Sequence, residues 1–291
     1  MNLKPWILAA RPKTLWASLA PVAMGTAIAT RDGGLHVPSA LCALASAFFI
    51  QIGTNYCNDY ADFAKGTDDA GRTGPLRATA AGLVTPQAMI RATIWAFALA
   101  AAAALYLVVR GGWPLALVGV LSIASGVLYT AGPRPLGYIG LGDLFTLVFF
   151  GPVAVAGTYY VQALQWSWVP VVAGLAPGLL SVSILVVNNL RDREGDARAG
   201  KRTLAVRFGA TFVRWEYTLC IAGSAVVTFI LARFMNAPPN AAASALVVFA
   251  AVPALKTIWS GAEGAVLNNL LAYTALLLLA YAMLFSVGWV L

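Results

Sequence analysis

The sequence predicts an all-α integral membrane protein, a bundle of about nine transmembrane helices. Three observations carry that prediction. Of the 291 residues, 60% are hydrophobic and 10% charged, whereas a soluble domain carries about a quarter charged residues. The apolar residues fall into runs of about 18–24, the length that crosses a hydrocarbon core as helix. These runs are rich in Ala and Leu and do not alternate with polar residues, which argues against membrane strands.

The N-terminal stretch MNLKPWILAARPKTLW does not read as a cleavable signal, because Arg11, Pro12 and Lys13 interrupt a short apolar part. Lys4, Trp6, Arg11, Lys13 and Trp16 suit a segment at the headgroup level, with charges and indoles as interfacial anchors. Nine spans follow at roughly 14–30, 38–60, 88–109, 113–130, 141–163, 168–190, 212–234, 241–258 and 268–289. Turn-rich breaks separate them: RDGGLHVP, GGWP, GPRPLG and NAPPN. His36, in the first break, reads as a solvated loop residue. The length suits a single transmembrane domain, 1–291, with little room for a soluble one. Cys42, Cys57 and Cys220 lack paired spacing and read as small buried hydrophobes.

The net charge of +8 takes its meaning from its placement. With nine spans, one face receives sixteen Lys and Arg residues and the other only Arg31, Arg110 and Arg233. Basic loops stay cytoplasmic. The N-terminus is therefore expected in the cytoplasm and the C-terminus outside, and nucleic acid is not an expected partner.

The acids are distributed unevenly. Seven of the eleven lie in two stretches, NYCNDYADFAKGTDDAGRTGPLR from Asn55 and NNLRDREGDARAGKRT from Asn188. Continued as helix, the first places Asn55, Asp59 and Asp62 at i, i+4 and i+7, with Asn58 and Asp62 one turn apart. The second places Asn188, Asp192 and Asp196 at i, i+4 and i+8. Like charges stacked in this way repel and are costly near a bilayer if left unpaired. A divalent cation removes both costs. One such cluster is explained by ordinary Asp–Arg pairs at a helix end. Two of the same Asn-x-x-x-Asp form, each ending an apolar span on the same face, are not. Their matching positions also suggest an internal pseudo-repeat around 14–130 and 141–258.

The ligand types are carboxylate and amide oxygens with no His or Cys nearby, a set that selects a hard ion such as Mg²⁺, two or more per site, with a diphosphate between the clusters. Lys65, Arg72, Arg77, Lys201 and Arg202 are placed to neutralise phosphate charge. A third polar piece on the same face, YTAGPRPLGYIGLGD from Tyr129, offers Arg134 for a phosphate or carboxylate and Tyr129 and Tyr138 for an aromatic substrate or a cation. Asp143, near a span start, reads as a helix cap.

These pieces carry a resemblance. The chain resembles the UbiA superfamily of intramembrane prenyltransferases, which bear two Asp-rich motifs at the ends of the second and sixth of nine helices. RPKTLWAS, NYCNDYADFAKGTD with GPLR, YTAGPRPLGYIGLGD with FFG, and NNLRDREGDARAGKRTLAVRFG carry the match in order along nearly the whole chain. The GPLR and PLGY–GLGD pieces favour the branch that prenylates 1,4-dihydroxy-2-naphthoate. The family's Asn-Asp-x-x-Asp-x-x-x-Asp pattern fits Asn58, Asp59 and Asp62 but meets Gly66 at its last position. Asp68, two residues on, stands in as a loop ligand.

The resemblance implies a central cavity with a polar cytoplasmic cap and an apolar body open sideways to lipid. It implies a Mg²⁺-bound polyprenyl diphosphate that ionises at its allylic C–O bond, with Asp59, Asp62, Asp192 and Asp196 essential to turnover. The naphthoate ring attacks the resulting carbon and loses CO₂, giving demethylmenaquinol in a bacterial plasma membrane. Two alternatives stand beside it: another aromatic acceptor, 4-hydroxybenzoate or homogentisate, and a cation-coupled transporter, which would carry its acids nearer mid-span.

Overall fold

In a computed structural model the chain is described over residues 3–66, 74 and 76–291, and no strand occurs among them. A short helix α1 (Lys4–Ala10) and a 3₁₀ turn (Pro12–Thr14) lead into α2 (Trp16–Arg31), α3 (Val37–Ala64), α4 (Pro86–Gly111) and α5 (Trp113–Leu128). Then come α6 (Gly142–Phe149), α7 (Pro152–Ala163), α8 (Trp168–Arg198) and α9 (Leu204–Phe234). A 3₁₀ stretch (Pro239–Leu246), α10 (Val247–Ala250), α11 (Val252–Trp259) and α12 (Ala265–Val290) complete the chain. Each of the nine expected spans has a helical counterpart among these elements. Seven are long and apolar enough to cross a bilayer, with α6–α7 and the 3₁₀–α10–α11 run counting once each.

Two expected spans are broken helices, each for a local reason. Between α6 and α7, Pro152 lacks an N–H and disfavours helical backbone at the residue before it. Gly151 accordingly sits at φ −114°, ψ −113°. A Cβ on Gly151 would stand 2.7 Å from the Gly174 carbonyl and 3.1 Å from the Gly178 Cα, so this elbow rests directly on the α8 backbone. In the eighth span, Pro239 opens the 3₁₀ stretch and Pro253 lies in the first turn of α11, where neither missing N–H costs a helical bond. His36 also differs from its reading as a solvated residue. It caps α3, its Nδ1 accepting from the Ser39 amide and bonding the Ser39 hydroxyl at 2.9 Å.

α3 packs along α4, α8 along α9, and α12 against both α2 and α8. The core cluster draws on α2, α7, α8, α9 and α12, with Ala173, Ala176, Leu180, Val186 and Val187 of α8 at its centre. α5 leans on α3 and α4 and has no extended packing against α6 or α7. A cavity fills that gap, lined from one side by Val118 and Ser122 and from the other by Phe149, Val153 and Gly157.

Candidate active site

α3 and α8 run beyond their apolar parts to Ala64 and Arg198, so both acidic clusters are presented on helix ends. Asn55, Asn58 and Asp62 of α3 face Asn188, Asp192 and Asp196 of α8 across the top of the cavity. Asp62 is 2% exposed and is the hub of the first cluster. Its Oδ2 accepts from Arg77 Nη2 at 2.6 Å, and its Oδ1 accepts from the Tyr138 hydroxyl at 2.6 Å. Lys201 Nζ lies 3.4 Å from Asp62 Oδ1 and 3.5 Å from Asp196 Oδ1, so one ammonium spans the two clusters. The Asn58 amide oxygen accepts from the Thr130 hydroxyl. Asn55 donates to the Ala10 carbonyl at 2.9 Å and to the Thr14 hydroxyl at 3.3 Å, which fixes α1 and its following turn against α3.

Asp59 departs from the ligand face assigned to it. Three residues of helix rotate it about 60° from Asp62, and it does not line the cavity. Its two oxygens accept the backbone amides of Ala78 at 3.0 Å and Thr79 at 2.9 Å. That grip holds the segment delivering Arg77 to Asp62.

In the second cluster Arg191 forks onto Asp192, Nε to Oδ1 at 2.8 Å and Nη2 to Oδ2 at 2.7 Å, and also reaches Asn188 and Asn268. The turn after α5 folds over both clusters. Tyr129 occupies a notch in which a Cβ on Gly142 would come within 2.9 Å of its hydroxyl and one on Gly137 within 3.1 Å of its ring. Tyr129 itself lines the cavity. The Tyr138 ring lies between two ammoniums, Lys65 at 4.6 Å and Lys201 at 4.8 Å from its centroid, a cation–π arrangement. The Tyr138 carbonyl accepts from the Arg202 amide at 2.7 Å, tying this turn to the segment after α8.

Several expected phosphate contacts lie elsewhere. Lys65 is exposed and donates to the Thr130 carbonyl at 2.6 Å. Partial desolvation of its ammonium lowers its pKa, Asp62 opposing and Lys201 reinforcing. Arg134 and Arg202 are exposed and outside the cavity lining, because both flank the turn rather than face into it. Asp68 and Arg72 lie outside the described residues. Asp143 is in the first turn of α6, two residues past the capping position held by Leu141, where no side chain forms a cap; an acid there still suits a helix start. Arg11, read as an interfacial anchor, lines the cavity instead. Its left-handed backbone, φ 52°, turns the chain between α1 and the 3₁₀ turn, and RP before a span was the one signal for it. Asn189 and Arg191 were also not singled out, and the pairing of Arg191 with Asn268 has no local signature.

The cavity cap thus offers Asp62, Asp192 and Asp196 beside Arg11, Arg77 and Lys201, above an apolar body. Among the described residues no three His, Cys, Asp or Glu side chains converge on one ion. The acids form two half-sets of hard oxygens, which suits an ion completing its shell with phosphate oxygens.

Comparison with known proteins supports the same assignment. The UbiA prenyltransferase family pattern matches residues 18–267. A 1,4-dihydroxy-2-naphthoate octaprenyltransferase from Mycobacterium tuberculosis is 43% identical over 281 residues, covering 96% of this chain and 94% of that protein. A UbiA homolog from Aeropyrum pernix K1 superposes with a TM-score of 0.71 at 16% identity, covering 94% of this chain and 96% of that one. A UbiA homolog from Archaeoglobus fulgidus bound to DMAPP and Mg²⁺ gives 0.66 at 17% identity, covering 97% and 99%. With its two acidic clusters ending the second and sixth spans over a largely apolar cavity, this integral membrane protein belongs to the UbiA prenyltransferase family.

Proposed function

We infer that the protein transfers a polyprenyl group from its diphosphate to 1,4-dihydroxy-2-naphthoate, releasing diphosphate and CO₂. The observation that carries this reading is the placement of the two half-sets of acids, with Arg77 and Lys201 among them, at one end of a largely apolar cavity. A diphosphate needs the first feature and a long isoprenoid tail the second. The name borne by the M. tuberculosis relative supports the naphthoate as acceptor. The DMAPP and Mg²⁺ of the A. fulgidus homolog support a prenyl diphosphate donor and a divalent cation.

Asn58, Asp62, Asn188, Asp192 and Asp196 would hold Mg²⁺, which when bound supplies positive charge against the leaving diphosphate. Arg77 and Lys201 add fixed positive charge where negative charge grows, so they bind the transition state better than the ground state. The allylic C–O bond breaks with its electron pair leaving on the diphosphate. The ring carbon bearing the carboxylate attacks the allylic carbon, and loss of CO₂ restores the aromatic ring, so one carboxylate and one prenyl diphosphate give prenylated quinol, CO₂ and diphosphate. Tyr129, half-buried at the cavity wall, orients the acceptor. Tyr138 presents its face to two ammoniums, so it organises the cap rather than the acceptor. The basic-residue bias supports a cytoplasmic N-terminus and cap, in a bacterial plasma membrane.

The test is purified protein in detergent with Mg²⁺, a polyprenyl diphosphate and each candidate acceptor, following prenylated product and CO₂, with EDTA as control. Product with CO₂ from the naphthoate, lost on chelation, is expected. Product only from 4-hydroxybenzoate or homogentisate would move the acceptor, and no product from any would sink the transferase reading.

A further inference from the structure

Behind the second cluster lies a guanidinium that the proposed reaction does not use. The Arg191 side chain is 1% exposed and is outside the cavity lining, while its neighbours Asn188, Asn189 and Asp192 are in it. It makes the fork to Asp192 described above, donates from Nη2 to Asn188 Oδ1 at 2.7 Å, and from Nη1 to Asn268 Oδ1 at 2.8 Å. Asn268 stands near the start of α12, one turn before Leu271, which lines the cavity. One buried group therefore touches two of the three polar residues of the α8 face and ties them to the last helix.

We propose that Arg191, anchored by Asn268, is the positioning residue that sets the geometry of Asn188 and Asp192 for a divalent cation. The proposal rests on the reading of those two residues as cation ligands. A carboxylate has about four lone-pair sites, and a forked guanidinium takes one on each oxygen. The fork comes from the α8–α12 side, while the carboxylate lines the cavity. It thus fixes the plane of Asp192 from behind, as outer-shell partners of ligating carboxylates do. Asn268 in turn stops the guanidinium from swinging forward to occupy the carboxylate in the cation's place. The positive charge by itself repels a cation, so charge and geometry act in opposite directions. Variants that keep the charge separate them: Arg191→Lys removes the planar fork, and Asn268→Ala removes the anchor while leaving the guanidinium in place.

The experiment measures Mn²⁺ binding to the full chain in detergent, free Mn²⁺ being counted by electron paramagnetic resonance, with thermal unfolding in parallel. The dissociation constant is expected to rise about tenfold in Arg191→Lys and severalfold in Asn268→Ala, at the low end for outer-shell partners. A purely structural role would lower the unfolding temperature and leave Mn²⁺ affinity unchanged, and that result in both variants overturns the proposal. If Arg191→Lys does not fold, Asn268→Ala decides alone. Asp192→Asn separates the two levels. If it weakens Mn²⁺ binding while the other variants do not, the ligand reading stands and the positioning role falls. If it leaves binding unchanged, or the unsubstituted protein takes up no Mn²⁺, both fall.

Discussion

Asp62 and Lys201 stand 3.4 Å apart, although 139 residues separate them in the chain. The pair joins the end of α3 to the segment after α8, and the same ammonium reaches Asp196. Lys201→Met would leave the carboxylates of two clusters facing each other without the cation between them. Turnover is expected to fall on the order of 100-fold, as for other preorganised charge-stabilising groups, with a raised KM for the prenyl diphosphate. Initial rates at varied diphosphate concentration check this; an unchanged KM would detach Lys201 from the diphosphate.

The acids should separate by their effect on stability. Asp196 is 14% exposed in its side chain and pairs with Lys201, so Asp196→Asn is expected to lower turnover on the order of 100-fold and shift the unfolding temperature little. Asp62 pairs with Arg77 where both side chains are nearly inaccessible, 2% and 6% exposed. Removing one partner of a buried pair leaves an uncompensated charge, at a cost of about 3–5 kcal/mol. Asp62→Ala should therefore lose both activity and several degrees of unfolding temperature, and Asp62→Ala with Arg77→Met should recover the stability without the activity. Equal unfolding temperatures for the single and double variants would contradict the pairing.

The fold was legible because apolar length and helical period are local properties. The runs of Ala and Leu mark the spans, and Asn188, Asp192 and Asp196 share a face wherever that helix continues. What was not legible depends on partners distant in the chain. Asp59 and Asn58 fit a ligand face about equally well by spacing alone. What sets them apart in the fold is the backbone at Ala78 and Thr79, about twenty residues later, whose amides donate to both Asp59 oxygens. Arg11 beside two Trp residues resembles an interfacial anchor, and only the left-handed turn at that position brings it to the cavity. Arg191, lying between acids in sequence, looks like any counter-charge until α12 supplies Asn268. The elbow at Gly151 had a visible cause in Pro152, but the need for glycine comes from α8 packed beneath it.

Asp59 gives a prediction that divides anchor from ligand. Asp59→Ala leaves the amides of Ala78 and Thr79 without their acceptor. At about 1–3 kcal/mol for each buried group left unsatisfied, the loss should show plainly in thermal unfolding. Because the segment they hold carries Arg77, KM for the prenyl diphosphate should rise. The Mg²⁺ concentration giving half-maximal rate should stay within about twofold of the unsubstituted value, in contrast to the 10–100-fold shifts seen when ligand geometry is disturbed. A large increase in the Mg²⁺ requirement would return Asp59 to the metal-binding set.

The apolar body of the cavity makes a prediction about substrate length. Gly157 lines the cavity on α7, and a Cβ placed there meets nothing within 4 Å. A side chain at this position therefore starts into open space at its Cβ, toward the space assigned to the tail. Replacing a helical glycine by leucine also gains up to about 1 kcal/mol of helix propensity, so Gly157→Leu should unfold no earlier than the unsubstituted protein. Its effect should fall on long donors. For a tail that passes Gly157, kcat/KM should drop tenfold or more, the scale of excluding a few buried methylenes at about 0.8 kcal/mol each. A donor short enough to end above Gly157 should react at its original rate. Competition between a C10 and a long-chain diphosphate in one reaction measures this ratio directly. If the ratio does not change, the tail runs along another wall of the gap between α5 and α7, and a bulky substitution at Gly119 on the α5 side should then produce the effect instead.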